Sequence, residues 1–178
     1  MSPVAVLVGA PGAGKSTIGR RVARALQVPF ADTDALIEER AGMPVSDIFL
    51  NEGEPAFRRM EEEVVASAIA ERAGVVSLGG GAVLSEQTRA VLRGHPVVWL
   101  RVDLASAARR VGMNTARPLL LGNVRAQMSA LLDARTPFYE EVSSIIVDTG
   151  NRPIRDVVAD VLDGLGVAPA GTEREETP

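Results

Sequence analysis

The chain predicts an α/β protein in three layers, a parallel sheet of five strands covered by helices on both faces. Two patterns carry that expectation. Short apolar runs alternate with longer stretches of helical periodicity, and strands that alternate with helices form parallel units whose crossovers are right-handed. In addition, the first apolar run ends in GAPGAGKST, residues 9–17, with a helical pattern behind it. The G-x-x-x-x-G-K-S/T spacing therefore sits between a strand and a helix, the context a phosphate-binding loop needs.

Residues 4–8 are a continuous apolar run, as a central strand buried on both faces requires. A helix over about 15–27 follows, with Ile18, Val22, Ala25 and Leu26 on one stripe and Arg20, Arg21 and Arg24 outside it. A second strand at 28–31 ends in Asp32-Thr33-Asp34. Helices are expected over about 34–40, 45–50 and 54–72, the last carrying Glu61-Glu62-Glu63, read as a mostly solvated face. A third strand at 75–78 runs into Gly79-Gly80-Gly81, and Ser85 is placed to cap a helix through Leu92. A fourth strand at 96–102 precedes a helix capped by Asp103 and reaching about Val111. Residues 112–122, GMNTARPLLLG, break the helical pattern with glycine at both ends and Pro118 inside, and read as a lid. A helix over about 124–142, irregular near Pro137, a fifth strand at 144–148 and a helix at 153–165 complete a single domain over 1–167. Residues 168–178 are polar and contain proline and glycine, so a disordered tail is expected.

Ligands of a parallel sheet gather at the carboxyl ends of its strands. Residues 9–17, 32–34 and 79–81 all fall on that edge. Glycines at 9, 12 and 14 let the amides of Gly12, Ala13, Gly14, Lys15, Ser16 and Thr17 turn inward on phosphate oxygens, and the helix N-terminus adds partial positive charge. Lys15 would reach the β- and γ-phosphates of a nucleoside triphosphate, and the Ser16 hydroxyl would face Mg²⁺. Lys15 is the only lysine among 19 basic residues. A phosphate cradle gives a reason, since it needs a compact ammonium with rotatable donors and not a planar guanidinium. A glycine-rich turn without a ligand is the plain alternative.

The third strand ends in glycine where such sites commonly place the metal-holding aspartate, so that carboxylate must come from elsewhere. Asp32 and Asp34, at i and i+2, point the same way if strand geometry continues. Asp32 is assigned to the metal and Asp34 to the attacking hydroxyl, while an Asx turn with a helix N-cap is the structural alternative. Arg117, between the glycines of the lid, reads as the arginine that closes over the transferring phosphate, against an ordinary loop charge.

Composition narrows the rest. A 46% apolar content suits a folded chain, and a net charge of -4 provides no basic field for nucleic acid and no polybasic block for a membrane surface. Without cysteine there is no disulfide, thiolate nucleophile or cysteine metal site, and His95, the sole histidine, reads as a loop residue. No stretch is apolar for long enough to span a membrane or serve as a signal core, so a cytoplasmic protein is expected; it is expected to be a monomer.

Five motifs in this order and spacing resemble shikimate kinases: GAPGAGKST, Asp32-Thr33-Asp34, the helix with Phe57-Arg58-Arg59-Met60-Glu61, the SLGGGAV run at 77–83, and Asn114-Thr115-Ala116-Arg117-Pro118-Leu119-Leu120. The chain is most similar to the actinobacterial, mycobacterium-like members. The resemblance implies the nucleoside monophosphate kinase fold of the P-loop kinases, with a substrate-binding helical region at about 34–60 and the lid at 112–122. It implies transfer of the γ-phosphoryl group of MgATP to the 3-hydroxyl of shikimate, a step toward chorismate and the aromatic amino acids. By position it implies that Lys15, Asp34 and Arg117 are catalytic, that Arg58 and Arg135 clamp the shikimate carboxylate, that the amides of Gly79, Gly80 and Gly81 seat the ring, and that Arg110 and Arg152 flank the adenine. The rival readings are another small-molecule kinase of this fold, acting on gluconate or a nucleoside monophosphate, and a nucleotide-dependent switch without catalysis.

Overall fold

A computed structural model of the chain describes residues 1–113 and 121–167. The strands are β1 (Pro3–Val8), β2 (Phe30–Asp32), β3 (Gly74–Ser77), β4 (Val97–Arg101) and β5 (Ile145–Asp148). They form one parallel sheet in the order β2-β3-β1-β4-β5. The central position of β1 follows from its composition: Ala5, Val6, Leu7 and Val8 offer no polar side chain to either face, and all four are buried. Leu7 and Asp32 both stand level with Ser77, so the segments that follow β1, β2 and β3 leave the sheet side by side.

The helices are α1 (Lys15–Leu26), α2 (Thr33–Ala41), α3 (Val45–Glu52), α4 (Glu54–Glu71), α5 (Glu86–Leu92), α6 (Leu104–Met113), α7 (Leu121–Val142) and α8 (Ile154–Gly164). The expected caps are present: Ser85 Oγ accepts from Thr88 N at 3.2 Å and Asp103 Oδ1 from Ser106 N at 2.8 Å. The main core lies between the sheet and its covering helices. A second, smaller core of Ile37, Ile48, Phe57 and Val64 ties α2, α3 and α4 together beside it.

Several details differ from expectation. β2 starts at Phe30 and not at Val28, because Gln27 turns left-handed (φ 55) and Val28 N closes the end of α1 on Ala23 O. Pro29, which has no N–H, then separates that cap from the ladder. The run after the glycine triplet is a short 3-10 turn, Ala82–Leu84. Pro137 lies inside α7 without interrupting it, so the irregularity expected there does not break the helix. Helix α6 extends to Met113 and α7 begins at Leu121, so both ends of the lid segment are helical; 114–120 lie outside the described residues, as does the tail 168–178.

Candidate active site

The donor side is built on the loop after β1. Gly14 adopts φ 85, a left-handed conformation that an L side chain rarely tolerates, and it is the residue from which α1 starts. The Lys15 ammonium donates to the Ala10 carbonyl at 3.0 Å. Burial lowers its pKa to about 8, against the pull of the Asp34 and Asp32 carboxylates. Ser16 Oγ donates to Asp32 Oδ2 at 2.5 Å, while Asp32 Oδ1 accepts from Asp34 N at 3.0 Å.

The strand geometry assumed for the aspartate pair therefore does not continue. Asp32 is extended (φ -113, ψ 122) and caps α2, whereas Thr33 and Asp34 are already helical. Asp32 serves both as cap and as partner of Ser16, and the helical turn is what carries Asp34 to the other side of the site. A hydroxyl and a carboxylate at a helix N-terminus are hard oxygen donors of the kind Mg²⁺ takes, with its remaining positions left to water and phosphate. Among the described residues no group of three or more acidic or histidine side chains is placed to hold a metal ion.

Beside the loop a cleft of about 240 Å³ is lined by Gly14, Thr17, Arg110, Thr149, Arg152 and Ile154, among others. Arg110 lines this cleft and ties the loop after β1 to the segment after β5, donating to Gly12 O at 2.8 Å and Thr149 O at 3.0 Å. Arg152 donates to Asp148 O at 2.9 Å and pairs with Asp160 at 2.8 Å. Both arginines expected around the adenine thus line one cavity that opens on the phosphate loop.

The acceptor side gathers Asp34, Arg58, Glu61 and the glycine triplet. A Cβ on Gly79 would stand 2.6 Å from Asp34 Oδ1 and 2.8 Å from Glu61 Oε1, so only glycine admits both carboxylates. Gly81 lies against the Arg58 guanidinium. Burial raises the Asp34 pKa and Asp32 raises it further, against Lys15 and Arg58. Burial also raises that of Glu61, opposed chiefly by its hydrogen bond from Arg58. Arg135, on α7, acts electrostatically on Lys15, Glu61 and Tyr139 together, so it faces the same site.

Two expectations need correction here. Glu61 is not on a solvated face: it is 3% exposed and takes Arg58 Nη1 at 2.6 Å, because α4 turns this residue under the triplet while Glu63 points outward. Nor is the Gly79 amide a donor for a ligand, since it is committed to the buried Thr33 Oγ1 at 3.1 Å; the triplet's remaining amides are those of Gly80 and Gly81. The structure thus brings together Lys15, Ser16, Asp32, Asp34, Arg58, Gly79–Gly81 and Arg135, with Arg110 and Arg152 on the nucleotide side. Arg117 lies outside the described residues. Thr33, Glu61 and Tyr139 were not picked out from the sequence as site residues. Glu61 had a signal, its i,i+3 spacing from Arg58, and so did Tyr139, the lone tyrosine four residues after Arg135.

The comparisons with known proteins agree with this geometry. The family model for shikimate kinase matches residues 11–165. This chain belongs to the shikimate kinase family. It is 60% identical over 147 residues to a shikimate kinase of Thermobifida fusca, covering 83% of this chain and 86% of that one. It is 52% identical over 168 residues to that of Mycobacterium tuberculosis (strain ATCC 25177 / H37Ra), covering 94% and 96%. Among solved structures, the shikimate kinase of Acinetobacter baumannii in complex with shikimate superposes with a TM-score of 0.83 at 33% identity, over 92% of each chain. The actinobacterial resemblance read from the motifs and the parallel five-stranded fold are both shown by these matches.

Proposed function

We infer that the chain is an ATP- and Mg²⁺-dependent shikimate kinase, transferring the γ-phosphoryl group to the 3-hydroxyl of shikimate to give shikimate 3-phosphate and ADP. Family membership carries the reaction, and one observation carries the assignment of the site. Asp34, Glu61 and Arg58 close around Gly79–Gly81 within electrostatic reach of Lys15, so a carboxylate-bearing alcohol held there meets the phosphate loop.

Each residue then has a task. The amides of residues 12–17 and the Lys15 ammonium hold the phosphate oxygens and neutralise charge as the Pγ–O bond to ADP breaks. Ser16 and Asp32 would hold Mg²⁺, which supplies charge neutralisation at the phosphates. Asp34 orients the shikimate hydroxyl and takes its proton as the oxygen bonds to Pγ; its upward-shifted pKa suits a proton acceptor better than an ordinary surface carboxylate would. Arg58 and Arg135 bind the substrate carboxylate. Buried Arg58 Nε has no hydrogen-bond partner among the described residues, which supports a ligand there. Arg110 and Arg152 flank the base, and Arg117 closes over the phosphates.

We read residues 1–167 as one kinase domain, with the acceptor region at 34–60 held by its own small core and the lid within 112–122. The protein acts as a cytoplasmic monomer on a small molecule, without nucleic acid. A net charge of -4 supports the reading without nucleic acid, and among the described residues no helix is long and apolar enough to cross a membrane. Assaying purified protein with MgATP against shikimate, gluconate and nucleoside monophosphates tests the reading: shikimate alone should be phosphorylated, and turnover of gluconate or a nucleotide with shikimate inert would overturn it.

A further inference from the structure

Tyr139 is the only tyrosine of the chain, and it is 1% exposed. Its ring stacks on Trp99, the only tryptophan, with centroids 5.8 Å apart, and its hydroxyl donates to the Gly80 carbonyl at 2.6 Å. That carbonyl belongs to the middle of the acceptor floor. A peptide between two glycines has no Cβ on either side to favour one orientation of its plane, so something else must choose it. In the trans peptide joining Gly80 to Gly81, C=O and N–H point in opposite directions within one plane. Anchoring the Gly80 oxygen on α7 therefore aims the Gly81 N–H away from α7. Gly81 itself lies against the guanidinium of Arg58.

We propose that Tyr139 is a positioning residue for the acceptor: its hydroxyl locks the Gly80–Gly81 peptide so that the Gly81 amide, and not the Gly80 carbonyl, is presented to shikimate beside Arg58. The proposal rests on the reading that the glycine triplet seats shikimate. The opposite orientation would put a carbonyl dipole where the substrate brings a carboxylate and hydroxyl oxygens. The anchor also reaches Arg135, one helical turn earlier on the same helix, whose charge Tyr139 feels. Burial pushes the phenol up to about 12, so it remains a donor across the working pH range.

An ordinary core tyrosine would bond the nearest carbonyl without consequence for the substrate, and Tyr139→Phe separates the two. Phenylalanine keeps the ring, the volume and the Trp99 stack and removes the hydroxyl, with its donation to Gly80 and its hydrogen bond with Arg135. The shikimate KM should rise about 3- to 10-fold, the range of one neutral hydrogen bond, while the ATP KM stays within about 2-fold of wild type. An unchanged shikimate KM, or an equal rise in both constants, would overturn the proposal. A second readout needs no substitution: protein grown with 3-fluorotyrosine carries fluorine only at position 139, and its ¹⁹F resonance should move on adding shikimate and much less on adding MgADP. A resonance that ignores shikimate, in protein that phosphorylates it, would equally reject the role. Failure of the parent reading looks different, because wild-type protein would then leave shikimate unphosphorylated before any variant is made.

Discussion

The donor and acceptor halves of this site are built on opposite plans. On the proposed function, phosphate would be met by one contiguous stretch, residues 9–17, in which backbone amides and a helix N-terminus would do most of the binding and Lys15 is the single charged side chain. The acceptor half is collected from α2, α4, the turn after β3 and α7, and its contacts come from side chains whose charges are buried close together. The difference follows from the ligands. Triphosphate is a strong, repetitive anion that fixed dipoles can hold, whereas a small carboxylated polyol needs charged side chains, and removing those from water is costly unless they are paired. Stability and function therefore pull apart across the acceptor half, and in the donor half at the buried Lys15.

The most severe break in that comparison is Asp34→Asn. Turnover should fall by roughly 10²- to 10⁴-fold with the ATP KM nearly unchanged, as for loss of a general base. The same variant should melt at a higher temperature at neutral pH. Because the folded-state pKa of Asp34 is raised, the stability of its neutral form is fully present below the unfolded pKa and is lost as pH rises through the folded one; asparagine stays neutral throughout. A lower Tm would show that the carboxylate is stabilising and would refute the account of its burial. Next in size is Arg58→Ala, which should raise the shikimate KM about 10- to 100-fold, the scale of one charge-assisted contact. It should also lower Tm, since it strands Glu61, 3% exposed, without its partner. Adding Glu61→Gln should recover part of the Tm and none of the KM, and recovery of both would count against the clamp.

The contrast also explains what could be read in advance. The alternation of strands and helices, five parallel strands and the phosphate loop are local patterns, and each was legible because strand period, helix period and glycine-lysine spacing act over a few residues. Asp32 and Asp34 were legible as residues but not as geometry: whether Asp32 continues a strand or caps a helix is decided by where α2 begins. Glu61 was misread because an i,i+3 pair with Arg58 looks the same in sequence whether solvated or buried, and only the packing of α4 under the glycine triplet tells them apart. Thr33 and Tyr139 act on backbone groups 46 and 59 residues away, a relation no local spacing encodes.

The donor half has one sharper signature, in pH. Lys15 titrates at about 8 in the free protein, so kcat/KM for ATP should fall about tenfold per unit well above pH 8, while kcat, which reports the complex in which phosphates favour the ammonium, should hold to higher pH. The loss should not be an unfolding. A lysine whose pKa is depressed from 10.5 adds stability as pH rises from about 8 toward 10.5, because the unfolded chain binds more protons there. Coincident drops in kcat/KM and Tm would remove Lys15 from this role.

The smallest expected effect tests where the donor half ends. Arg152 lines the nucleotide cleft, but it is only half-buried and its guanidinium is already bonded to the Asp148 carbonyl and to Asp160. Its contribution to the base is then packing and partial cation–π attraction at an exposed site, about 0.5–1 kcal/mol, so Arg152→Ala should raise the ATP KM only about 2- to 5-fold. The shikimate KM should not move. Arg110 differs, because it ties Gly12 of the loop to Thr149 beyond β5, and its loss would loosen the phosphate cradle as well as the base contact. Arg110→Ala should therefore exceed Arg152→Ala in its effect on ATP, and an equal effect for the two would mean that backbone anchoring by Arg110 contributes nothing to the cradle.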